Sequence, residues 1–297
     1  MAQHFAPPDR AEWGKPLAHF ELAIDGPAWT RTALAADLWL AIEREELLLH
    51  YQPLLSIESG RIECFEALMR WQHPTLGLIM PDDFIPIAEE SGAIVALGEW
   101  ALLRACIDAV SWNPGVRVAV NVSPIQVRDS DLAATVDRAL TASGLPPHRL
   151  ELEITESAPL DDDARYRALF NRLGRLGVEF VMDDFGSGYA TFACFRKFRF
   201  DKIKIDRSFI GKMLDDDFAR SVVETVIALG QNLDLKVVAE GVETAAQLAM
   251  LRSRGCPQAQ GYFISPPMPI AFFMAAAPHM QAKPANAGSL ALDIIQK

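Results

Sequence analysis

Asp183 and Asp184 are adjacent carboxylates within the run Val178–Ala190, VEFVMDDFGSGYA. Val178, Phe180 and Met182 alternate with Glu179, Val181 and Asp183. That is the period of a strand, so Asp183 faces away from Met182 and Asp184 falls where the strand ends. Two carboxylates held side by side repel one another, and a shared proton, a cation or exposure to water relieves them. Gly186 and Gly188 allow a tight turn immediately afterwards. Taken alone, the pair fits a solvated turn as well as it fits half of a metal site.

The elements around it decide between the two. Short β-rich runs recur at Arg117–Val122, Leu150–Thr155, Val178–Asp183, Lys202–Asp206, Lys236–Glu240 and Ala259–Ile264, with helical segments between them. This is the pattern of parallel strands with crossover helices. Before them, Leu47–Ile57 and Ile62–Trp71 are joined by Glu58-Ser59-Gly60-Arg61, which reads as an antiparallel hairpin. The expected fold is α/β, a (β/α)8 TIM-like barrel with an antiparallel first strand. An open doubly wound sheet is the alternative, but neither a Gly-x-Gly-x-x-Gly after a first strand nor a P-loop supports it.

Helix signals fit the same scheme. Leu34, Leu38 and Ile42 follow Thr32 as a candidate cap, and Leu132, Val136 and Leu140 precede Gly144. Tyr166, Leu169, Phe170 and Leu173 precede Gly177, and Thr244 with Gln247 reads as a capping box for a helix that stops near Gly255. Asp161-Asp162-Asp163 and Asp215-Asp216-Asp217 read as carboxylates at helix N-termini rather than as metal ligands.

In such a barrel, polar residues that alternate with apolar ones point into the lumen or sit at its rim. Val116, Val118 and Val120 toward the helices send Asn121 inward; Leu152 and Ile154 do so for Glu153, Ile203 and Ile205 for Lys204, and Val237 and Ala239 for Glu240. Gln260 holds the equivalent place on the last strand, and Glu66 is the acid in an otherwise apolar stretch. Glu66, Asn121, Glu153, Asp183, Asp184, Lys204, Glu240 and Gln260 thus converge on the rim where barrel enzymes keep their active sites. Five carboxylates and a carboxamide around one lysine call for cations, and oxygen donors select hard ions such as Mg²⁺, Mn²⁺ or Ca²⁺. Two ions about 3.5 to 4 Å apart, bridged by Asp183, would suit in-line displacement at a phosphodiester. Lys204 would add positive charge near the phosphate or the attacking hydroxide, and Glu240 is either a ligand or the base that takes the water's proton. A Schiff-base role for Lys204 is opposed by the carboxylates, which keep the amine protonated.

The whole chain sets limits. At 297 residues, half of them apolar, it can bury a sizeable core. Its formal charge of -11 argues against general binding of DNA or RNA. Cys64, Cys106, Cys194 and Cys256 are scattered, as free thiols in a reducing compartment are. His50, His73 and His148 have no metal-ligand spacing. No apolar run approaches the roughly 20 residues that span a bilayer, and the expected location is cytoplasmic. Residues 1–31 read as a linker or remnant segment, 32–280 as the domain and 281–297 as a tail.

Eight ordered motifs carry a family resemblance from about Thr32 to Pro269: YQP at Tyr51, EALMRW at Glu66, NVSP at Asn121, ELEITES at Glu151, DDFGSGYA at Asp183, KIKID at Lys202, AEGVE at Ala239 and QGYF at Gln260. The chain resembles the EAL-domain cyclic di-GMP phosphodiesterases. The resemblance implies hydrolysis of cyclic di-GMP to linear pGpG with two Mg²⁺ or Mn²⁺ ions, Ca²⁺ being inhibitory. It implies that Glu66, Asn121, Glu153 and Asp183 hold one ion, that Asp183, Asp184 and Glu240 hold the other, and that Lys204 assists the water. Gln52, Arg70, Gln260 and Glu243 would contact the dinucleotide, and Glu156 with Ser187 would anchor the loop after Asp184. A homodimer and an upstream sensor domain or regulatory protein are implied as partners. Ser187 stands where the family usually has Thr, and Ala190-Thr191-Phe192 where it usually has two serines and a leucine. The alternative is a catalytically silent module that binds cyclic di-GMP; such modules usually lose a ligand or the lysine, and all are present here.

Overall fold

The computed structural model describes residues 31–156, 163–186, 195 and 197–280. It shows the expected barrel. Strands β1 (Leu47–Ser56) and β2 (Ile62–His73) form the antiparallel hairpin, with Gln52 opposite Glu66. β2 carries a short appendage, β3 (Gly77–Ile79), and then pairs in parallel with β4 (Arg117–Val122). The parallel series continues through β5 (Leu150–Thr155), β6 (Glu179–Phe185), β7 (Lys202–Ile205), β8 (Lys236–Ala239) and β9 (Gln258–Ala259). β9 pairs antiparallel with β1 and closes the ring, so β1 is antiparallel to both of its neighbours.

The helices are α1 (Arg31–Leu40), α2 (Pro81–Ser91), α3 (Ile94–Val110), α4 (Pro124–Asp129), α5 (Leu132–Ser143), α6 (Asp163–Leu176), α7 (Arg207–Lys212), α8 (Asp217–Leu233), α9 (Ala245–Ser253) and α10 (Ile270–Met280). Their caps are largely those read from sequence. Gly144 ends α5 in the left-handed region, Asp216 caps α8 by accepting from Phe218 N, and Thr244 and Gln247 form the reciprocal box that starts α9. Apolar faces of strands and helices meet outside the barrel: Ile203 and Ile205 pack with Val223, Val226 and Ile227 of α8 in one such core.

Three expectations are corrected. α1 already includes Arg31, so Thr32 lies within its first turn and is not its cap. The last strand ends at Ala259 rather than Ile264. Beyond it the chain folds over Val242, whose N–H donates to Gln260 O and whose carbonyl accepts from Phe263 N. A Cβ on Gly261 would come 2.2 Å from Val242 N, so only glycine fits that crossing. Finally α2 and α3 fill a stretch for which no helix was expected. α3 buries Ile94, Leu97, Ala101, Leu102, Ala105, Cys106 and Ala109, a wide apolar surface with no narrow stripe to announce it.

The lumen is layered. Below the rim, Leu54, Cys64, Ala119 and Val238 form a fully buried apolar plug. Each stands two residues from a rim residue on the same strand or, for Val238, from Glu240 just beyond it, as strand alternation requires. At the same step of β7 and β5, Lys202 Nζ donates to Glu151 Oε2 at 2.7 Å, both side chains being fully buried. Arg117 binds Glu151 at 3.4 Å and also pairs with Glu179. Burial raises the Glu151 carboxyl, but Lys202 and then Arg117 outweigh it and hold the group below its ordinary range. Cys64, Cys106 and Cys256 are buried free thiols; Cys194 lies outside the described residues.

Candidate active site

Lys204 is the centre of the rim. From β7 its ammonium reaches Glu240 Oε1 at 2.6 Å, Glu153 Oε2 at 3.0 Å, Asp183 Oδ1 at 3.1 Å and Glu66 Oε2 at 3.2 Å. Burial would lower its pKa, but Asp183, Glu153, Glu240 and Glu66 together push it well above the ordinary lysine value. The amine is therefore an ammonium with no lone pair, which removes the Schiff-base reading. It also answers part of the repulsion that the sequence assigned wholly to cations.

Each carboxylate has its own environment. Glu66 accepts from Asn121 Nδ2 at 2.8 Å, from Gln260 Nε2 at 2.6 Å and from Lys204. Burial works against its ionisation, and Lys204 and the two amides reverse that and hold it below its ordinary range. Gln260 Nε2 also donates to Gln52 Oε1 at 2.9 Å, and Gln52 Nε2 donates to Ser265 O at 3.1 Å. Gln52 and Gln260, read as substrate contacts, thus also form the bracket behind Glu66. Glu153 is pushed well above the carboxylate range by burial and then by Glu66. Burial raises Glu240 to about 8 despite Lys204, and burial with the Asp183 charge raises Asp184 to about 6.

β6 runs two residues past Asp183, where the sequence reading ended it, and its pairing with β7 is interrupted between Met182 and Phe185. Asp184 adopts φ 55°, rare for a residue with a side chain, and Gly186 follows with φ 99°. Gly186 N donates to Glu156 Oε2 at 2.6 Å and Glu156 N to Asp183 O at 3.0 Å, so Glu156 ties the end of β5 to this turn. Ser187, the other expected anchor, lies outside the described residues. Arg70 is buried near the end of β2, with Nη1 on Met69 O at 2.7 Å, and makes no ion pair among the described residues. Glu243 is exposed, its N–H donated to Gln247 Oε1 at 2.8 Å; its carboxylate makes no hydrogen bond among the described residues and is not in the cluster. The Lys202–Glu151 pair of the floor was missed, although the alternation that placed Lys204 and Glu153 inward places these two inward as well.

The donors fit divalent cations. Among the described residues, Glu153 Oε1, Asp183 Oδ1 and Gln260 Oε1 are buried and accept no hydrogen bond; Asp183 Oδ1 has the Lys204 charge beside it but not in donor geometry. One oxygen each from Asp183, Asp184 and Glu240 lies within 4.8 Å of the others. Buried oxygens of this kind are acceptors awaiting a partner, and an all-oxygen set is that of a hard ion.

A closed α/β barrel with one antiparallel strand and an acidic, lysine-centred rim is the class that fold and site define. Residues 35–267 match the EAL domain family, and the chain belongs to that family. It is 48% identical over 251 residues to an uncharacterised signalling protein of Caulobacter vibrioides, covering 84% of this chain and 31% of that protein. It is 42% identical over 239 residues to the cyclic di-GMP phosphodiesterase NbdA of Pseudomonas aeruginosa, covering 79% and 30%. The solved PaMucR phosphodiesterase in complex with c-di-GMP aligns with a TM-score of 0.77 and 39% identity, covering 81% of this chain and 99% of that one. The chain spans about a third of the length of these full-length relatives.

Proposed function

We propose that this chain hydrolyses one phosphodiester of cyclic di-GMP to give linear pGpG. The observation that carries the reading is the Lys204 ammonium within 3.2 Å of Glu66, Glu153, Asp183 and Glu240, four of the six residues we assign as ion ligands. Glu66, Asn121, Glu153 and Asp183 would hold one ion, and Asp183, Asp184 and Glu240 the other. Two Mg²⁺ or Mn²⁺ ions held there would supply Lewis-acid charge at the phosphate and lower the pKa of a water, so that it could attack as hydroxide.

The chain's own residues do the rest. Lys204 presents fixed positive charge in a site shielded from water, where charge on the phosphate develops. Glu240 would be either a second-ion ligand or the base that takes the proton of the attacking water. Arg70 at the rim would meet a substrate phosphate, with Gln52, Gln260 and Glu243 as further dinucleotide contacts, and Glu156 with Ser187 would set the loop that carries Asp184. The setting we propose is cytoplasmic, as a homodimer that answers to an upstream sensor domain or regulatory protein. Among the described residues no helix is long and apolar enough to cross a membrane.

Incubation with cyclic di-GMP and Mg²⁺, with products separated by chromatography, tests the reading. Linear pGpG is expected. Tight binding without product would make the chain a receptor instead.

A further inference from the structure

The segment Asp206–Phe209 lies between the end of β6, which carries Asp184, and the turn after β8, which carries Glu240. On one side, a Cβ on Gly186 would come 2.7 Å from Phe209 Cε2 and 3.3 Å from Phe209 Cζ. On the other, a Cβ on Gly241 would come 2.6 Å from Arg207 Cβ and 3.3 Å from Arg207 Cα. Both glycines have left-handed φ, 99° and 66°. Gly186 stands two residues after Asp184, and Gly241 directly follows Glu240. The first turn of α7 therefore fills the space under both.

That turn is itself held. Asp206 Oδ1 accepts from Ser208 N at 2.9 Å and from the Ser208 hydroxyl, and Phe209 N donates to Asp206 O at 3.1 Å. Gln247 Nε2 donates to Ile210 O at 3.2 Å while Gln247 Oε1 accepts from Glu243 N and Thr244 N, which fastens α7 to the Glu240 side. Toward Asp184, the Phe209 ring presses on Gly186, and Asp206 N donates to Phe185 O at a long 3.4 Å. Half-buried Phe209 also packs on the core of Ile205, Ile210 and Val242, so the ring has a firm backing.

From this geometry we propose that Phe209 is a positioning residue: through Gly186 it sets the spacing of Asp184 from Glu240, and with it the affinity of the second-ion site. The inference rests on the metal reading of the site. Mg²⁺ and ions of its size hold their ligands at about 2.0 to 2.1 Å in near-ideal octahedra, so a loop that relaxes into the space left by a ring loses that geometry. Phe209 acts on the ion through the loop.

The test is Mn²⁺ titration of the full chain, read by calorimetry and by electron paramagnetic resonance, for the parent, Phe209→Ala and Phe209→Leu. Removing a residue that orients a ligand typically costs about 10- to 100-fold in metal affinity. Phe209→Ala is expected to weaken one Mn²⁺ site by that factor and leave the other unchanged, with Phe209→Leu intermediate. The rate with cyclic di-GMP should then recover at saturating Mn²⁺, as a raised metal requirement with little change in kcat. Should Phe209→Ala not fold, selective weakening of one site in Phe209→Leu supports the proposal and an unchanged isotherm overturns it. Equal weakening of both sites with a lowered Tm would make the role one of packing only, and also overturns it. A parent that binds Mn²⁺ beside unchanged variants removes this inference alone; a parent that binds no Mn²⁺ removes the metal reading and this inference with it.

Discussion

Lys204 Nζ lies 2.6 Å from Glu240 Oε1, closer than to any other of its four carboxylates. The pair joins a group that must keep its proton to one whose carboxyl burial raises to about 8. Lys204→Ala removes the charge at the centre and leaves Glu153 and Asp183 facing Glu66 and Glu240. Losing one preorganised electrostatic contact costs on the order of 10² to 10³ in rate. A loss of that size in single-turnover cleavage with Mg²⁺ is expected, with little change in cyclic di-GMP affinity measured by calorimetry in Ca²⁺. A variant that binds many-fold more weakly yet cleaves at the parental rate once saturated would make Lys204 a substrate clamp.

The raised acids make metal binding and stability depend on pH. Metal ligands must be deprotonated, so an ion has to displace protons from Asp184, near 6, and Glu240, near 8, and its affinity rises with pH across that window. Without an ion the sign for stability is the reverse. Between the unfolded and folded values the native state holds protons that the unfolded chain has lost, so stability falls as pH rises toward 8. Melting in chelator at pH 6 and pH 8 should show a lower Tm at the higher pH, and Mg²⁺ should abolish the difference. Chelation should also stop turnover, Mg²⁺ or Mn²⁺ restore it, and Ca²⁺ inhibit. Undiminished cleavage in excess chelator rules out the metal mechanism.

Glu66 and Asp183 share a rim but differ in what holds them. Glu66 accepts from Asn121, Gln260 and Lys204; exposed Asn121 can turn to water, but Glu66→Ala takes one of the two acceptors from the buried Gln260 amide and one from buried Lys204, at about 1–3 kcal/mol. Asp183 Oδ1 accepts no hydrogen bond among the described residues, so Asp183→Asn removes charge from a crowded site without orphaning a donor found there. Both should abolish cleavage. Denaturant titration in chelator should show Glu66→Ala destabilised and Asp183→Asn as stable as the parent or more so; the reverse order would contradict this account of the bracket behind Glu66.

Much of the rim was legible because strand alternation is a local rule. Isoleucines at 203 and 205 force Lys204 inward, and leucine and isoleucine at 152 and 154 do the same for Glu153. What stayed hidden depends on tertiary packing. α3 is too broadly apolar to show one stripe, and β9 stops short because Gly261 crosses the backbone of Val242. The wedge of Arg207 and Phe209 is visible only once Gly186 and Gly241 lie on either side of it. Glu243 sits in a motif beside Glu240, but the chain bends into α9 there and leaves its side chain exposed.

The floor of the barrel offers a control for the rim. Lys202 and Glu151 stand two residues before Lys204 and Glu153 and form a similar buried pair, one strand step below the rim and at the level of Cys64 and Ala119. Lys202→Met leaves Glu151 buried with only Arg117, at 3.4 Å, to oppose its charge. Breaking a buried pair from one side costs about 3–5 kcal/mol, whereas replacing both partners by apolar groups is often neutral. Lys202→Met should therefore melt well below the parent, and the double variant Lys202→Met/Glu151→Leu should recover much of the loss. Cleavage per folded molecule should be unchanged in both at a temperature where they remain folded, because Lys202 and Glu151 pair with each other and with Arg117 and, among the described residues, with none of the candidate ligands. If either variant lost rate as Lys204→Ala is expected to, the lower pair would belong to the catalytic electrostatics, and the division of the lumen into a working rim and a structural floor would fail.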